Sequence, residues 1–173
     1  MDDPVHGSVI VGVDGSAAAL AALRWSATRA SRLGVRVVAV HAWLPRSALR
    51  APYASVAALP TPEQDRSRAA WTLEDSVSRL LETDPLTQIT AVLDEGPAVP
   101  VLLRHARHAS LLALGRGRRG DDTLPALGAV ARECVRGAVC PVVTVPEPVR
   151  AAGQVTSLRQ LEEEMSAAGA RRG

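Results

Sequence analysis

The sequence predicts an α/β protein with a doubly wound parallel sheet, because short apolar runs alternate with helix-length amphipathic segments. Five runs rich in Val, Ile, Leu and Ala contain few polar residues, as expected of strands that are buried on both faces. The segments between them are long enough for the helical crossovers that parallel strands require. We predict strands at 8–14, 35–42, 86–93, 111–114 and 141–145.

Capping residues set the helix boundaries. Ser16 can cap a helix that ends just before Gly34, a residue suited to the left-handed conformation at a helix C-terminus. Thr61 begins a capping box, with Pro62 at the first helical position and Gln64 at the third. We predict helices at 17–33, 61–82, from Pro97 to about 108, and from about 125 to 138, with a long loop at 43–60.

Composition excludes several classes of protein. The chain has 173 residues and a net charge of +2, which suits one domain with a tail and not a basic nucleic-acid-binding domain. All 20 basic residues are Arg, and Asn is absent too, a bias that we attribute to a GC-rich genome. No apolar run reaches the roughly 18 residues of a membrane-spanning helix. We therefore expect neither a nucleic-acid nor a membrane partner.

The cysteines and the N-terminus predict a cytoplasmic location. Two cysteines, Cys134 and Cys140, are too few for a disulfide framework in a chain of this size, so we expect two reduced thiols. The first residues, Met1-Asp2-Asp3-Pro4, lack the basic region that opens a signal peptide.

The candidate site lies where strands end in Gly and Asp. In a doubly wound sheet, ligands bind beyond the carboxyl ends of the strands, at the point where the strand order reverses. If strand one neighbours strand four, Asp14 and the loop after Gly115 face each other there. The run 115–120, GRGRRG, matches the dinucleotide fingerprint, but it follows the fourth strand and Asp121 and Asp122 precede the helix, so we reject that interpretation.

Several motifs, in order, resemble the universal stress protein family. They are VGVDGS at 11–16, GPAVPVLL at 96–103, the glycine loop, and CPVVTVP at 140–146. The resemblance covers about residues 7–146 and implies a Rossmann-like, adenine-nucleotide-hydrolase-like architecture with strand order 3-2-1-4-5. It also implies a role in stress response and binding of ATP, AMP or another adenine nucleotide. We divide the chain into this domain, 1–146, and a linker with a short helical tail, 147–173.

The ATP-binding members of that family carry G-x2-G-x9-G-[S/T] after strand four. Aligned without gaps, Gly115 and Gly128 match, whereas Arg118 replaces the second glycine and Ala129 replaces the Ser or Thr. Arg118 would either fill the pocket or pair with a phosphate through its guanidinium. Ala129 lacks a hydroxyl donor and a ligand for magnesium, so we expect weak phosphate binding and no tightly held Mg²⁺.

The nucleoside half of the site matches the family better. The resemblance implies that Gly12, Val13 and Asp14, at the end of the first strand, frame adenine and ribose. It also implies that backbone near Val40 lies at the adenine edge and that Leu114 and Val130 line the pocket. The Asp14 carboxylate can accept from ribose hydroxyls. Alternatively, Asp14 is a turn residue at the entry to the helix that Ser16 caps.

Three functions stay open on these residues. The first is a dimeric regulatory or binding module with weak or altered adenine-nucleotide binding, and the second is an interaction scaffold whose crevice Arg118 plugs. The third, an ATP-hydrolysing enzyme, is disfavoured because we find no general base, nucleophile or metal cluster. His105 and His108 are two ligands at most, and we expect a solvated helix face there.

The last strand predicts a homodimer. The run 141–145 begins with Pro141, is followed by Pro146 and carries no charge, although it would be an edge of the sheet with unpaired backbone groups. Family members commonly dimerise through this strand, so the resemblance implies the same. The competing prediction is that the helical tail, with Leu158, Leu161 and Met165 on one face, covers that edge in a monomer.

Overall fold

The computed structural model describes residues 7–49, 60–117 and 127–147. Arg118, most of the linker and the whole predicted helical tail lie outside the described residues, as does the start of the predicted fourth helix. The proposed division of the chain into a domain and a tail therefore stays a prediction.

Five parallel strands form one sheet, which confirms the predicted α/β doubly wound fold. The order is β3-β2-β1-β4-β5, so the chain reverses direction across the sheet between β1 and β4. The strands are β1 (Val9–Gly12), β2 (Val37–Trp43), β3 (Ile89–Glu95), β4 (Leu111–Arg116) and β5 (Val142–Pro146).

Helices cover both faces of the sheet, and each face has its own apolar cluster. The helices are α1 (Ala17–Leu33), α2 (Pro62–Leu81), α3 (Ala98–Ala106) and α4 (Ala129–Gly137). On one face Leu23 of α1 and Leu80 of α2 pack against Val9 and Val37. On the other, Leu102 of α3 and Cys134 of α4 pack with other buried side chains of the sheet. Burial on both faces explains why the strands are almost wholly apolar.

The predicted caps of α1 and α2 are present. The Ser16 hydroxyl accepts from the Ala19 amide, and Gly34 ends α1 in the left-handed conformation with φ 66°. Thr61 and Gln64 form the reciprocal capping box at the start of α2. Both helices therefore begin where local hydrogen bonding alone predicts.

Several boundaries differ from the prediction; for example, β1 ends at Gly12 and not at Asp14, and β2 begins at Val37 and not at Val35. β3 begins at Ile89 and not at Leu86, which is 92% exposed in the turn after α2. α4 begins at Ala129 and not near 125, because Gly128 is extended and serves as its N-cap. β4 continues two residues beyond Leu114 and pairs with Val145 and Pro146, so Gly115 belongs to the strand and not to the loop. The predicted loop at 43–60 contains a short 3₁₀ turn, Arg46–Leu49.

Candidate functional site

A cleft of about 510 Å³ opens at the carboxyl ends of β1 and β4, where the strand order reverses. The residues that border it come from β1, β2 and β4, from the first two turns of α1, α3 and α4, and from the segments that follow β1, β4 and β5. Every predicted site residue that the structure describes lines this cleft: Gly12, Val13, Asp14, Val40, Leu114, Gly115, Gly128, Ala129 and Val130. Arg118 lies outside the described residues.

The floor of the cleft depends on the missing side chain of Gly12. A Cβ at this position would lie 2.7 Å from Leu114 Cδ2 and 3.3 Å from two methyl groups of Leu102. These contacts show that the two leucines close around Gly12, so a side chain at this position would have to displace them. Leu102, Ala98 and Ala42 line the cleft and were missed by sequence reasoning. Ala42 was detectable, because it lies two positions after Val40 and so points to the same face of β2.

Val13 directly follows β1, and the chain leaves the sheet after it. Its amide donates to the Val40 carbonyl at 2.9 Å, which continues the ladder with β2. Its carbonyl is 2.6 Å from Nδ1 of His41, a ring nitrogen in the role of donor. The segment from Gly12 to Asp14 is therefore fixed by β2 through both backbone groups of one residue.

Asp14 has the turn role predicted as the alternative to ligand binding, and it also faces the cleft. Its Oδ1 accepts from the Ser16 amide at 3.0 Å, immediately before α1 begins. Gly15 has φ 80°, a conformation that favours glycine. Within the described residues the second carboxylate oxygen of Asp14 has no hydrogen-bond partner, so that oxygen is available to a ligand.

The two glycines that match the family motif occupy different environments. A Cβ on Gly115 would lie 2.5 Å from the backbone carbon of Ala18 and 2.6 Å from the amide nitrogen of Ala19. Glycine is therefore sterically required where β4 passes the first turn of α1. Among the described residues, a Cβ on Gly128 would meet nothing within 4 Å, and φ there is −65°. Gly128 is thus not required by its backbone conformation.

The start of α4 offers unsatisfied amides to the cleft. Gly128 provides no side-chain cap, and Ala129 and Val130 line the cleft at the first turn. Amide groups at a helix N-terminus form an anion site, because the first N–H groups lack carbonyl partners within the helix. Ala129 has no hydroxyl to add to them.

Glu147 is an acidic residue at this end of the cleft, and Arg116 is its neighbour on β4. Among the described residues the buried Nε of Arg116 has no hydrogen-bond partner, but Arg116 does not line the cleft. Glu147 lines the cleft beside Gly117, and its amide donates to the Arg116 carbonyl at 3.2 Å. Sequence reasoning assigned Glu147 to the linker, and only the pairing of β4 with β5 brings it here. One carboxylate therefore lies near the anion site.

Asp94 lies beside the other end of the cleft, as the cross-strand neighbour of Ala42. Its Oδ2 accepts from Arg104 Nη2 at 2.6 Å and from His105 Nε2 at 2.7 Å. The hydrogen bond from Arg104, and then that from His105, hold the pKa of Asp94 below its ordinary value. The predicted solvated face is wrong for His105, whose side chain is 26% exposed and bonded to Asp94.

Within the described ranges, no group of three or more His, Cys, Asp or Glu residues can hold a metal ion. No helix in those ranges is long and apolar enough to cross a bilayer. Cys134 and Cys140 are free thiols, and burial raises the pKa of both. Both sulfurs are therefore protonated and poor nucleophiles at neutral pH.

The fold and the cleft define a doubly wound α/β protein with an open crevice at its switch point. The model of the universal stress protein family matches residues 7–146, and the chain belongs to that family. The chain is 31% identical over 156 residues to universal stress protein Rv1996 of Mycobacterium tuberculosis, covering 84% of this chain and 45% of the relative. It spans about half the length of the curated relatives that it matches.

Solved structures of universal stress proteins share the fold. The protein from Archaeoglobus fulgidus in complex with dAMP has a TM-score of 0.58 and 25% identity, covering 82% of this chain and 98% of that one. A universal stress protein in complex with cAMP has a TM-score of 0.57 and 21% identity, covering 83% of this chain and 99% of that one.

Proposed function

We propose that this chain is a binding module that holds an adenine nucleotide in the cleft and recognises the nucleoside more strongly than the phosphates. It then acts in stress response by presenting its nucleotide-bound or nucleotide-free surface to a partner. The observation that carries the proposal is the pair of backbone groups left open at Ala42, next to Val40 on the cleft side of β2.

The open pair follows from the sheet. Ala42 belongs to β2, and its ladder neighbour on the β1 side is Val13, whose carbonyl bonds to the His41 ring instead. The N–H of Ala42 therefore lacks its ladder partner, and its C=O lacks one because β1 ends at Gly12; among the described residues neither group has a strand partner on that side. Adenine presents a ring acceptor, N1, beside an amino donor, N6, which complements one N–H and one C=O. Guanine presents the opposite polarity at that edge, so we expect adenine to be preferred.

The phosphate end supports one phosphate better than three. The open amides at the start of α4 favour an anion there. Ala129 lacks the hydroxyl of the family motif, and the Glu147 carboxylate repels further negative charge. The relatives that hold dAMP and cAMP carry a single phosphate each, which agrees with this proposal for the chain.

Calorimetry with AMP, ADP, ATP, cyclic AMP and GMP tests the proposal. We expect AMP to bind, ATP to bind no more than about threefold tighter than AMP, and GMP to bind at least tenfold weaker. Nanomolar ATP binding that requires magnesium would contradict it. Failure of all five ligands would favour the scaffold whose crevice Arg118 plugs.

A variant at the floor of the cleft provides the control. Gly12→Val places a side chain against Leu114 and Leu102, so AMP binding should be lost. The melting temperature of this variant must be measured in parallel, because both leucines are part of the core. Retained AMP binding in a folded Gly12→Val protein would place the ligand elsewhere.

We propose further that the protein does not turn over ATP. The cleft has an acidic residue at each end, Asp14 and Glu147, and no histidine, cysteine or lysine among the residues that line it within the described ranges. Multiple turnovers that survive rigorous purification and disappear in Asp14→Ala would overturn this proposal.

The assembly that we propose is a homodimer formed through β5. The strand is the sheet's outer edge beyond β4, and Val135 and Val139 beside it are 52% and 79% exposed. In the parallel ladder, the backbone N–H and C=O groups of Val143 and Val145 bond to β4, which leaves those of Val142 and Thr144 facing outward. An antiparallel copy can satisfy these groups through one self-complementary patch. The free thiols fit the reducing cytoplasm that we predict as its location.

A further inference from the structure

We propose that His41 is a positioning residue that keeps the Ala42 backbone open for the ligand by binding the carbonyl that would otherwise close it. The proposal rests on the proposed function for its ligand, but its geometric part concerns hydrogen bonds within the protein alone. It is carried by the register of β1 against β2 and by the 2.6 Å contact between His41 Nδ1 and the Val13 carbonyl.

The register shows which bond His41 replaces. The amide of Val9 donates to Arg36 at 3.0 Å and that of Val13 donates to Val40 at 2.9 Å, so alternate residues of β1 bond to β2. In a parallel ladder, a residue whose amide donates to one residue of the neighbouring strand accepts, through its own carbonyl, from the amide two residues further along that strand. The Val13 carbonyl should accordingly accept from Ala42. It accepts from the His41 ring instead.

The two faces of β2 explain the direction of this change. Ala39, two positions before His41, packs in the cluster under α1 and α2, whereas Val40 and Ala42 pack in the cluster under α3 and α4. His41 therefore draws the Val13 carbonyl toward the α1 and α2 face, away from the side that Ala42 shares with the cleft. Because N–H and C=O of a trans peptide point in opposite directions, the Asp14 amide is turned away from His41.

Pairing with β3 keeps Ala42 extended beyond the point where β1 ends. β2 pairs with β3 as far as Trp43 and Glu95, and the Gly96 amide donates to the Trp43 carbonyl at 2.8 Å. The Ala42 N–H is thus a fixed donor and not part of a frayed strand end. A preorganised donor binds a ligand without an ordering cost.

The contact also fixes the tautomer of His41. A carbonyl oxygen only accepts, so Nδ1 must carry the proton, and the neutral ring must be the Nδ1–H form. Nitrogen-15 NMR of the full chain measures this directly. A neutral His41 found in the Nε2–H form would overturn the proposal without any nucleotide present.

Substitutions at His41 separate positioning from packing. Asn places an amide donor near the Nδ1 position, Gln places it one atom further, and Leu removes it. We expect His41→Asn to retain AMP affinity within about threefold, and His41→Gln and His41→Leu to lose about tenfold, the size of one net hydrogen bond. Equal affinities in His41→Asn and His41→Leu would contradict a role for the donor.

Amide exchange at Ala42 supplies a readout that packing alone would not move. In the wild type and in His41→Asn, the Ala42 amide should exchange at least tenfold faster than the Val40 amide. In His41→Leu the Val13 carbonyl is released to Ala42, so exchange at Ala42 should slow. Unchanged exchange would overturn the proposal. Absence of AMP binding to the wild type would contradict the proposed function alone, since the tautomer and the exchange rates still decide the role of His41.

Discussion

The two ends of the cleft are built in different ways. At the end that we propose for the nucleoside, strand pairing and one side chain hold Val13: its amide lies 2.9 Å from the Val40 carbonyl, and its carbonyl lies 2.6 Å from His41 Nδ1. At the end that we propose for the phosphate, α4 begins without a side-chain cap, and a Cβ on Gly128 would meet nothing within 4 Å among the described residues. The first end is determined by the sheet and the second by a few replaceable residues.

This difference shows where the chain can change its ligand. Backbone groups held by a sheet are insensitive to most substitutions, so the recognition that we propose at Ala42 would depend on the fold itself. Side chains at the start of α4 contribute little to the core, because Ala129 is exposed and Val130 is 38% exposed. Under the proposed function, phosphate affinity could therefore vary while recognition of the nucleoside is retained.

The largest effect is expected at Gly115, which belongs to both the core and the cleft. Gly115→Ala forces a Cβ against backbone atoms of Ala18 and Ala19, which cannot move as a flexible side chain would. We expect a loss of about 3 kcal/mol or more in the free energy of unfolding, measured by urea denaturation. Gly128→Ala is the control and should cost less than about 1 kcal/mol. Equal losses would show that the two glycines are equivalent after all.

Restoring the family motif should strengthen binding at the end that we propose for the phosphate. Arg118→Gly combined with Ala129→Ser returns a glycine and a hydroxyl donor to the phosphate end. We expect ATP to bind about tenfold to a hundredfold tighter, as for one hydrogen bond to a charged acceptor, with a smaller change for adenosine. The same double change with Val at position 129 lacks the hydroxyl and should not match it. If ATP affinity stays constant, the alignment of the loop is wrong.

The proposed dimerisation through the edge strand β5 should weaken when one backbone amide of that strand is lost. Thr144→Pro removes an outward-facing N–H, whereas the inward pairing of Val143 and Val145 with β4 is kept. We expect the proposed dimer to dissociate at least tenfold more readily, as measured by analytical ultracentrifugation. Thr144→Ala keeps the N–H and should remain dimeric.

A truncation after Glu147 tests whether a second copy of the chain or the chain's own tail pairs with the edge of β5. If the full chain is monomeric at high micromolar concentration and the truncated chain is dimeric, the tail and not a second copy covers the edge. If both forms are dimeric, the proposed homodimer holds without the tail.

The smallest effect is expected beside the nucleoside end, at Asp94. Its pKa is lowered by Arg104 and His105, so its stabilising contribution is complete above its ordinary pKa of 3.8 and is lost as the pH falls through the lower folded value. The pair is partly exposed, so we expect less than about 1 kcal/mol. Asp94→Asn should lower the melting temperature at pH 7 and converge with the wild type near pH 2. A constant difference across that range would contradict the ion-pair explanation.

Local patterns predicted much of this molecule. Capping residues located α1 and α2, because a cap is a hydrogen bond within four residues of sequence. Apolar runs located the strands, and the order of the strands placed Asp14 and Gly115 on one cleft. The start of α4 was missed because Gly128, an extended N-cap, lies inside a stretch with helical periodicity.

The sequence by itself determined the fold, the position of the cleft and the missing hydroxyl at Ala129, since each depends on residue type and order. Tertiary structure decided what each group contacts. Gly115 is required by the backbone of α1, 97 residues earlier in the chain at Ala18, and His41 reaches the Val13 carbonyl across 28 residues. Such contacts exist only after β1, β2 and β4 have paired, because sequence periodicity records which face a residue takes and not which atom it meets there.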